Sequence, residues 1–168
     1  MKTAKRLLAL ALAGVMALAL LTGCSDSSSK AKQVEEYFRY MNGGYTNYQK
    51  DETLDKKLEA IAQQFQPDWL DDINGELTED ALTTIKNELK DYLGTGSVWL
   101  WYGEVEPGQS AQAQAESMKK DQGIEIALLA SGIPTLQAIA FTRTDKKSDG
   151  HRYYLALETY ATIKTPQN

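Results

Sequence analysis

The chain has 168 residues, with 18 basic and 23 acidic side chains and a formal net charge of −5. That acid excess excludes a nucleic-acid binder, which needs a basic face to neutralise phosphates, and the single cysteine excludes a disulfide framework within the chain. The length suits one domain with a hydrophobic core of its own.

Residues 1–23 read as an export signal. Lys2, Lys5 and Arg6 form a basic start, and Leu7 to Leu21 is an apolar run rich in Ala and Leu. The run is short for a membrane span, and a processing site follows it. That site, Leu21-Thr22-Gly23-Cys24, resembles the lipobox of bacterial lipoproteins. The resemblance implies cleavage after Gly23 and lipid on the sulfur of Cys24. It places the chain at the extracytoplasmic face of a bacterial membrane. The blander reading is a buried core cysteine after ordinary cleavage; the small residues and the spacing from the apolar run speak against it. From Cys24 onward there are 145 residues, with 15 basic against 23 acidic side chains and a charge of −8. Anchoring must then come from lipid rather than from attraction to anionic headgroups. Residues 24–32 read as a lipidated tether, because Asp26 to Lys30 is small, polar and has nothing to bury. The folded domain is expected over residues 33–164.

Within the domain, Val34, Tyr37, Phe38 and Met41 recur at helical spacing and predict a first helix over 31–42, ended by Asn42-Gly43-Gly44. A polar loop follows with Tyr45 and Tyr48, either of which can meet a ligand or pack on its own domain. A second helix is expected from Thr53 or Leu54 to Gln66, with Leu54, Leu58, Ile61, Ala62 and Phe65 as a core stripe and Pro67 as its stop. Asp68, Asp71 and Asp72 lack calcium-loop spacing and read as solvated acids near a helix end. Asn74-Gly75 signals a turn. Thr78 then caps a third helix with Glu79 and Asp80 in its first turn and Ala81, Leu82, Ile85 and Leu89 on its buried side. Gly94-Thr95-Gly96 ends that region and lacks the pattern of a phosphate loop.

Val98 to Tyr102 is apolar on both alternating faces, which predicts a strand buried on both sides. An acidic turn holds Gly103, Glu104, Glu106, Pro107 and Gly108, and Ser110 caps a fourth helix containing Gln114 and Met118. Gly123 to Leu129 is an apolar run read as a short helix, and Ser131 to Pro134 is a turn. Thr135 to Thr144 and His151 to Ile163 form a hairpin around residues 145–150. Its returning strand puts Tyr153, Leu155 and Leu157 on one face and Tyr154, Ala156, Glu158 and Tyr160 on the other.

The order of these elements resembles the CAP superfamily (cysteine-rich secretory proteins, antigen 5 and pathogenesis-related proteins). Leu54 to Ala62 resembles its L-D-x-x-L-x-x-x-A helix, Gly103-Glu104 its G-E-N turn, and Ser110 to Met118 the helix after that turn. Gly123 falls near the glycine of its G-H-R turn, and Tyr153-Tyr154 resembles its closing strand. The resemblance covers residues 33–162. It implies an α+β fold, a three-layer α-β-α sandwich around a central antiparallel sheet, with a groove. Many members carry two histidines and acidic residues in that groove, in some cases holding zinc. Here those histidines are missing: Ile124 and Glu125 stand where the family has His and Arg, and no histidine precedes His151. Only Glu104 matches. One glutamate does not supply the three or four ligands of a zinc site, so no metal and no cofactor is expected.

The candidate groove is Trp101, Tyr102, Glu104, Ile124 and Glu125, open to a small apolar ligand or a protein partner. Trp99, Trp101 and Tyr102 can alternatively be core packing of a central strand. Glu104 with Glu106, or with Glu158, forms the carboxylate pair that a weak hydrolase would need. An exposed turn that solvates both acids is the blander reading. No Ser-His-Asp arrangement is present around His151. Sequence reasoning therefore leads to a non-enzymatic, lipid-anchored binding module, with a weak hydrolase or a purely structural envelope protein as alternatives.

Overall fold

A computed structural model describes residues 28–43, 48–71, 76–120, 123–128 and 135–164. The expected export signal at residues 1–23, Cys24, Tyr45, Asp72, the expected Asn74-Gly75 turn and the expected turn at 131–134 lie outside the described residues.

Helix α1 (Ser28–Gly43) begins three residues before its expected start, so part of the anticipated tether is helical. Lys30, Ala31 and Lys32 are good helix formers, and Ala31 packs beside the buried pair Val34 and Phe38. Helix α2 (Glu52–Gln64) buries Leu54, Leu58, Ile61 and Ala62. Asp51 caps it, accepting from Thr53 N at 3.0 Å and Leu54 N at 2.8 Å, and also takes the Tyr92 hydroxyl at 2.5 Å. One carboxylate thus satisfies two orphan helix donors and ties α2 to the chain entering the main sheet. Pro67 opens a short 3₁₀ turn, Pro67–Trp69. The two-residue strands β1 (Leu70–Asp71) and β2 (Glu76–Leu77) pair antiparallel. Helix α3 (Glu79–Leu89) has the expected Thr78 cap, with Ala81, Ile85 and Leu89 buried.

The main sheet contains β3 (Leu93–Glu104), β4 (Ile124–Leu128), β5 (Leu136–Arg143) and β6 (Tyr153–Ile163) in the order β4-β3-β6-β5. Every neighbouring pair is antiparallel. Strand β3 is longer than its apolar core predicts, because β6 offers pairing partners from Leu93 to Glu104. It absorbs the 94–96 segment expected to be a terminator. The register shifts between Leu93 and Gly96, and Gly96 takes φ 129°, so glycine here serves a bulge within a strand. The 123–129 run, expected as a short helix, holds strand β4 instead. Ile124, Ile126 and Leu128 alternate on one side, and Ile126 pairs with Val98. Period two, not helical period, governs this short apolar run. The C-terminal hairpin forms as expected.

Helices cover both faces of the sheet. Leu155, Leu157 and Ala161 of β6 join Val98 and Leu100 in a cluster with the stripes of α2 and α3. The alternate residues Tyr154 and Ala156 join Ile139 in a second cluster with Val34 and Phe38 of α1 and with Ala111, Ala115 and Met118 of helix α4 (Ala111–Lys120). The fold is α+β, with an antiparallel sheet between two apolar clusters.

Candidate functional site

Strand alternation separates the five expected groove residues. Trp101 lies on the α1–α4 side, where Phe38 meets its ring edge-on at 5.9 Å. Gly123 sits so close to it that a Cβ would come within 2.7 Å of the indole. Glu125 pairs with Trp99 on that same side, is exposed, and accepts the Ser97 hydroxyl at 2.6 Å. Tyr102 and Ile124 pack against the opposite cluster, and Glu104 shares that side by the alternation of β3. The five do not line one groove.

The structure instead brings together two turns distant in sequence. Glu104 pairs with Tyr153, and Val105 N donates to Arg152 O at 2.8 Å, so the β3–β6 ladder runs past the strand ends. The acidic turn after β3 therefore lies beside the hairpin turn before β6. Between them is a cleft of about 470 Å³ lined by Glu104, Val105, Glu106, Pro107, Lys146, Gly150, His151 and Arg152.

Each wall is held by a specific polar arrangement. Gln114 of α4 is fully buried. Its amide donates to Glu104 O at 2.6 Å and accepts from Glu106 N at 2.8 Å, which clamps the acidic turn. Ser110 caps α4 as expected, accepting from Ala113 N at 3.1 Å. On the other wall, Asp149 accepts His151 N at 2.9 Å and the Tyr153 hydroxyl at 2.5 Å. The Tyr153 bond, followed by that backbone bond, holds the Asp149 carboxyl below its ordinary range. Gly150 supplies the left-handed φ of 85° that the turn requires. These contacts pre-form the turn that presents His151.

His151 Nδ1 contacts Glu104 Oε1 across the cleft. Both side chains are well exposed, at 53% and 36%, so the contact adds at most about 1 kcal/mol of stability. Arg152 Nε is buried with no hydrogen-bond partner among the described residues, an arrangement that native proteins rarely leave without a cause. A second cleft of about 470 Å³ runs beside α2 and includes Lys146 and Lys147. There Lys147 Nζ donates to the carbonyls of Ala62 at 2.6 Å and Gln63 at 3.1 Å, capping the end of α2. Burial lowers its pKa.

Glu158 stands apart from both clefts. It is 7% exposed on the α1–α4 side of the sheet. Its Oε1 accepts from the Tyr48 hydroxyl and lies 2.9 Å from the Tyr160 hydroxyl, and its Oε2 accepts from Trp101 Nε1 at 3.2 Å. The two hydroxyls are 2.8 Å apart. Buried carboxylates require such partners. The cluster fastens the segment before α2 to the sheet. Glu158 lies opposite Trp99, five residues along β6 from the partner of Glu104. At about 3.4 Å per residue the two backbone positions are about 17 Å apart along the sheet, with the side chains on opposite faces, which keeps the carboxylates beyond either glycosidase geometry. Among the described residues no group of three or more His, Cys, Asp or Glu side chains is placed to hold a metal ion.

Burial, then hydrogen bonding to Glu158, raises the pKa of Tyr48 above its ordinary 10.0. Burial, then the bond to Asp51, raises Tyr92, and burial, then the bond to Asp149, raises Tyr153. Tyr160 is raised by burial. The folded chain therefore keeps these protons to higher pH than the unfolded chain does. Their stabilisation is complete below about pH 10 and is lost as pH rises toward the folded values. Urea unfolding followed by circular dichroism is expected to show a midpoint that falls steadily above about pH 10, with a shallower fall in Tyr48→Phe. An identical slope in the variant would remove Tyr48 from this account.

Sequence reasoning identified Glu104, Trp101 and His151 individually. It missed that His151 and Arg152 face the acidic turn, that Gln114 holds that turn, and that Tyr48 and Tyr160 serve Glu158. The pairing of β6 with β3 decides the first, and no local pattern encodes strand order. No protein-family model, curated protein or solved structure matches the chain.

Proposed function

We propose that the chain is a lipid-anchored, non-enzymatic binding module at the extracytoplasmic face of a bacterial membrane, with a degenerate CAP-like three-layer fold and Cys24 as its lipid attachment. The basic start, apolar run and Leu21-Thr22-Gly23-Cys24 support the anchor. An antiparallel sheet with helices on both faces supports the layering. The observation that carries the binding reading is the cleft between the two turns. In it Glu104 meets His151, the one histidine of the chain. Its lining combines a mainly apolar surface with the titratable side chains of Glu104, Glu106, Lys146, His151 and Arg152, which favours a small ligand bearing both apolar and charged groups over the purely apolar ligand suggested by Trp101 and Tyr102. Arg152 is the natural contact for an acidic group on that ligand. A hydrolase built on Glu104 and Glu106 would need Glu104 available to substrate, whereas His151 occupies its Oε1.

The test is native mass spectrometry of the Cys24→Ser chain mixed with a polar extract of bacterial cells. A retained small molecule is expected, and Arg152→Ala is expected to weaken it by about tenfold or more. Retention unchanged by Arg152→Ala would move the site elsewhere. No retained molecule from polar or lipid extracts would favour a purely structural role.

A further inference from the structure

We infer that the outer face of α1 lies in the headgroup layer of the anchoring bilayer, with Tyr37 and Tyr40 as the side chains that enter it. This rests on the lipid anchor proposed for Cys24.

Distance comes first. Only residues 25–27 separate Cys24 from Ser28, where α1 begins. Even fully extended, the four steps from Cys24 to Ser28 span at most about 14 Å. The headgroup layer on each side of a bilayer is itself about 5–8 Å thick. A lipid on Cys24 therefore holds the first turn of α1 at the membrane surface. The domain has no long tether with which to stand away from it.

The exposed surface of α1 then sets two aromatic rings beside Lys32, Gln33 and Glu36. Among the described residues, the exposed large hydrophobic side chains are Tyr37 at 42%, Tyr40 at 78% and Ile163 at 44%. Two of these three are on the helix next to the anchor. They lie three positions apart and so share a face, while Val34 and Phe38 fill the buried side. Among the described residues Tyr40 is the most exposed of the three. Tyrosine suits the headgroup layer because an apolar ring and a polar hydroxyl are both accommodated there.

Charge placement points the same way. A helix start favours acidic residues through its dipole, yet the first turn of α1 holds none. The chain has an acid excess, but it sets Lys30 and Lys32 at this end of the helix. Helix stability does not account for that choice. Lipid phosphates do, since lysines near a bilayer extend their ammonium groups to them. Helix α1 carries Lys30, Lys32 and Arg39 against Glu35 and Glu36, a net charge of +1, whereas the rest of the domain has an acid excess that repels an anionic surface, so contact is confined to α1. In this orientation the layer of α2 and α3 faces away from the lipid.

The test uses the full chain, produced in a lipidating bacterium and reconstituted in vesicles of phosphatidylethanolamine and phosphatidylglycerol. Lipidation blocks the sulfur of Cys24, so Tyr40→Cys and, separately, Lys86→Cys each offer a single thiol for a nitroxide spin label. Both positions are exposed, and neither change removes core packing. The label at 40 is expected to be severalfold more accessible to oxygen, and severalfold less accessible to a water-soluble nickel complex, than the label at 86 on α3. Equal nickel access at the two positions overturns the inference. Shielding of position 40 from oxygen and nickel alike also overturns it, and identifies a protein contact there instead. The intact mass separates loss of the anchor from loss of the membrane contact alone. A chain carrying no lipid removes the anchor and this inference together, whereas a lipidated chain with equal accessibility removes only this inference.

Discussion

Glu158→Ala is expected to cost about 3 kcal/mol of unfolding free energy, measured by urea titration. The carboxylate is 7% exposed and has bonds from Tyr48, Tyr160 and Trp101. Hydrogen bonds to a charged group contribute about 1.5–3 kcal/mol each, and a buried donor left unpaired loses about 1–3 kcal/mol. The losses do not add in full. Tyr48 and Tyr160 are half-buried and can regain water, and their mutual contact at 2.8 Å survives. The indole N–H of Trp101 has less chance of replacement, because Phe38 and Gly123 pack around the ring. Glu158→Gln keeps the volume and one acceptor oxygen, and is expected to cost about half as much. Tyr48 lies in the segment before α2, so hydrogen exchange in that segment should rise in Glu158→Ala before global unfolding. If Ala and Gln both fall within about 0.5 kcal/mol of wild type, the cluster does not hold the domain together.

Gly96→Ala is the second large effect, with an expected cost of about 3 kcal/mol or more. Two causes coincide at this position. Its φ of 129° disfavours any residue with a side chain, and a Cβ would lie 2.1 Å from Tyr160 O and 2.7 Å from Ala161 Cα. Both obstacles are backbone atoms of the neighbouring strand, which cannot rotate away. Relief would require β3 and β6 to separate at the centre of the sheet. A loss of this size is a large share of the total stability of a typical domain, about 5–15 kcal/mol. Gly108→Ala is the control. Gly108 also has positive φ, at 88°, but among the described residues nothing lies within 4 Å of where its Cβ would stand. It isolates the conformational cost, about 1–2 kcal/mol. Equal losses at the two glycines would mean that the crowding at Gly96 relaxes without cost.

Local patterns revealed much of the fold. The stripes of α2 and α3, the Thr78 and Ser110 caps, and the closing hairpin were legible because their signals lie within a few residues of one another. The same is true of the two faces of β6, since alternation is a property of one strand. Errors arose where a partner decided the outcome. The 94–96 glycines read as a terminator until β6 paired with them. The 123–129 run read as a helix until β3 supplied hydrogen bonds to it. Local sequence carries propensity, but a strand also needs an edge to pair with, and that edge can be distant in the chain.

The candidate site shows the same division. The acid excess, the single cysteine, the apolar run before it and the single histidine are properties of the sequence alone, because they depend on residue identity and not on position in space. The sequence also named Glu104 and His151. Only the tertiary structure set them against each other and put Glu158 out of reach of Glu104. Those outcomes follow from strand order and register, which place side chains by hydrogen-bond pairing between segments far apart in the chain.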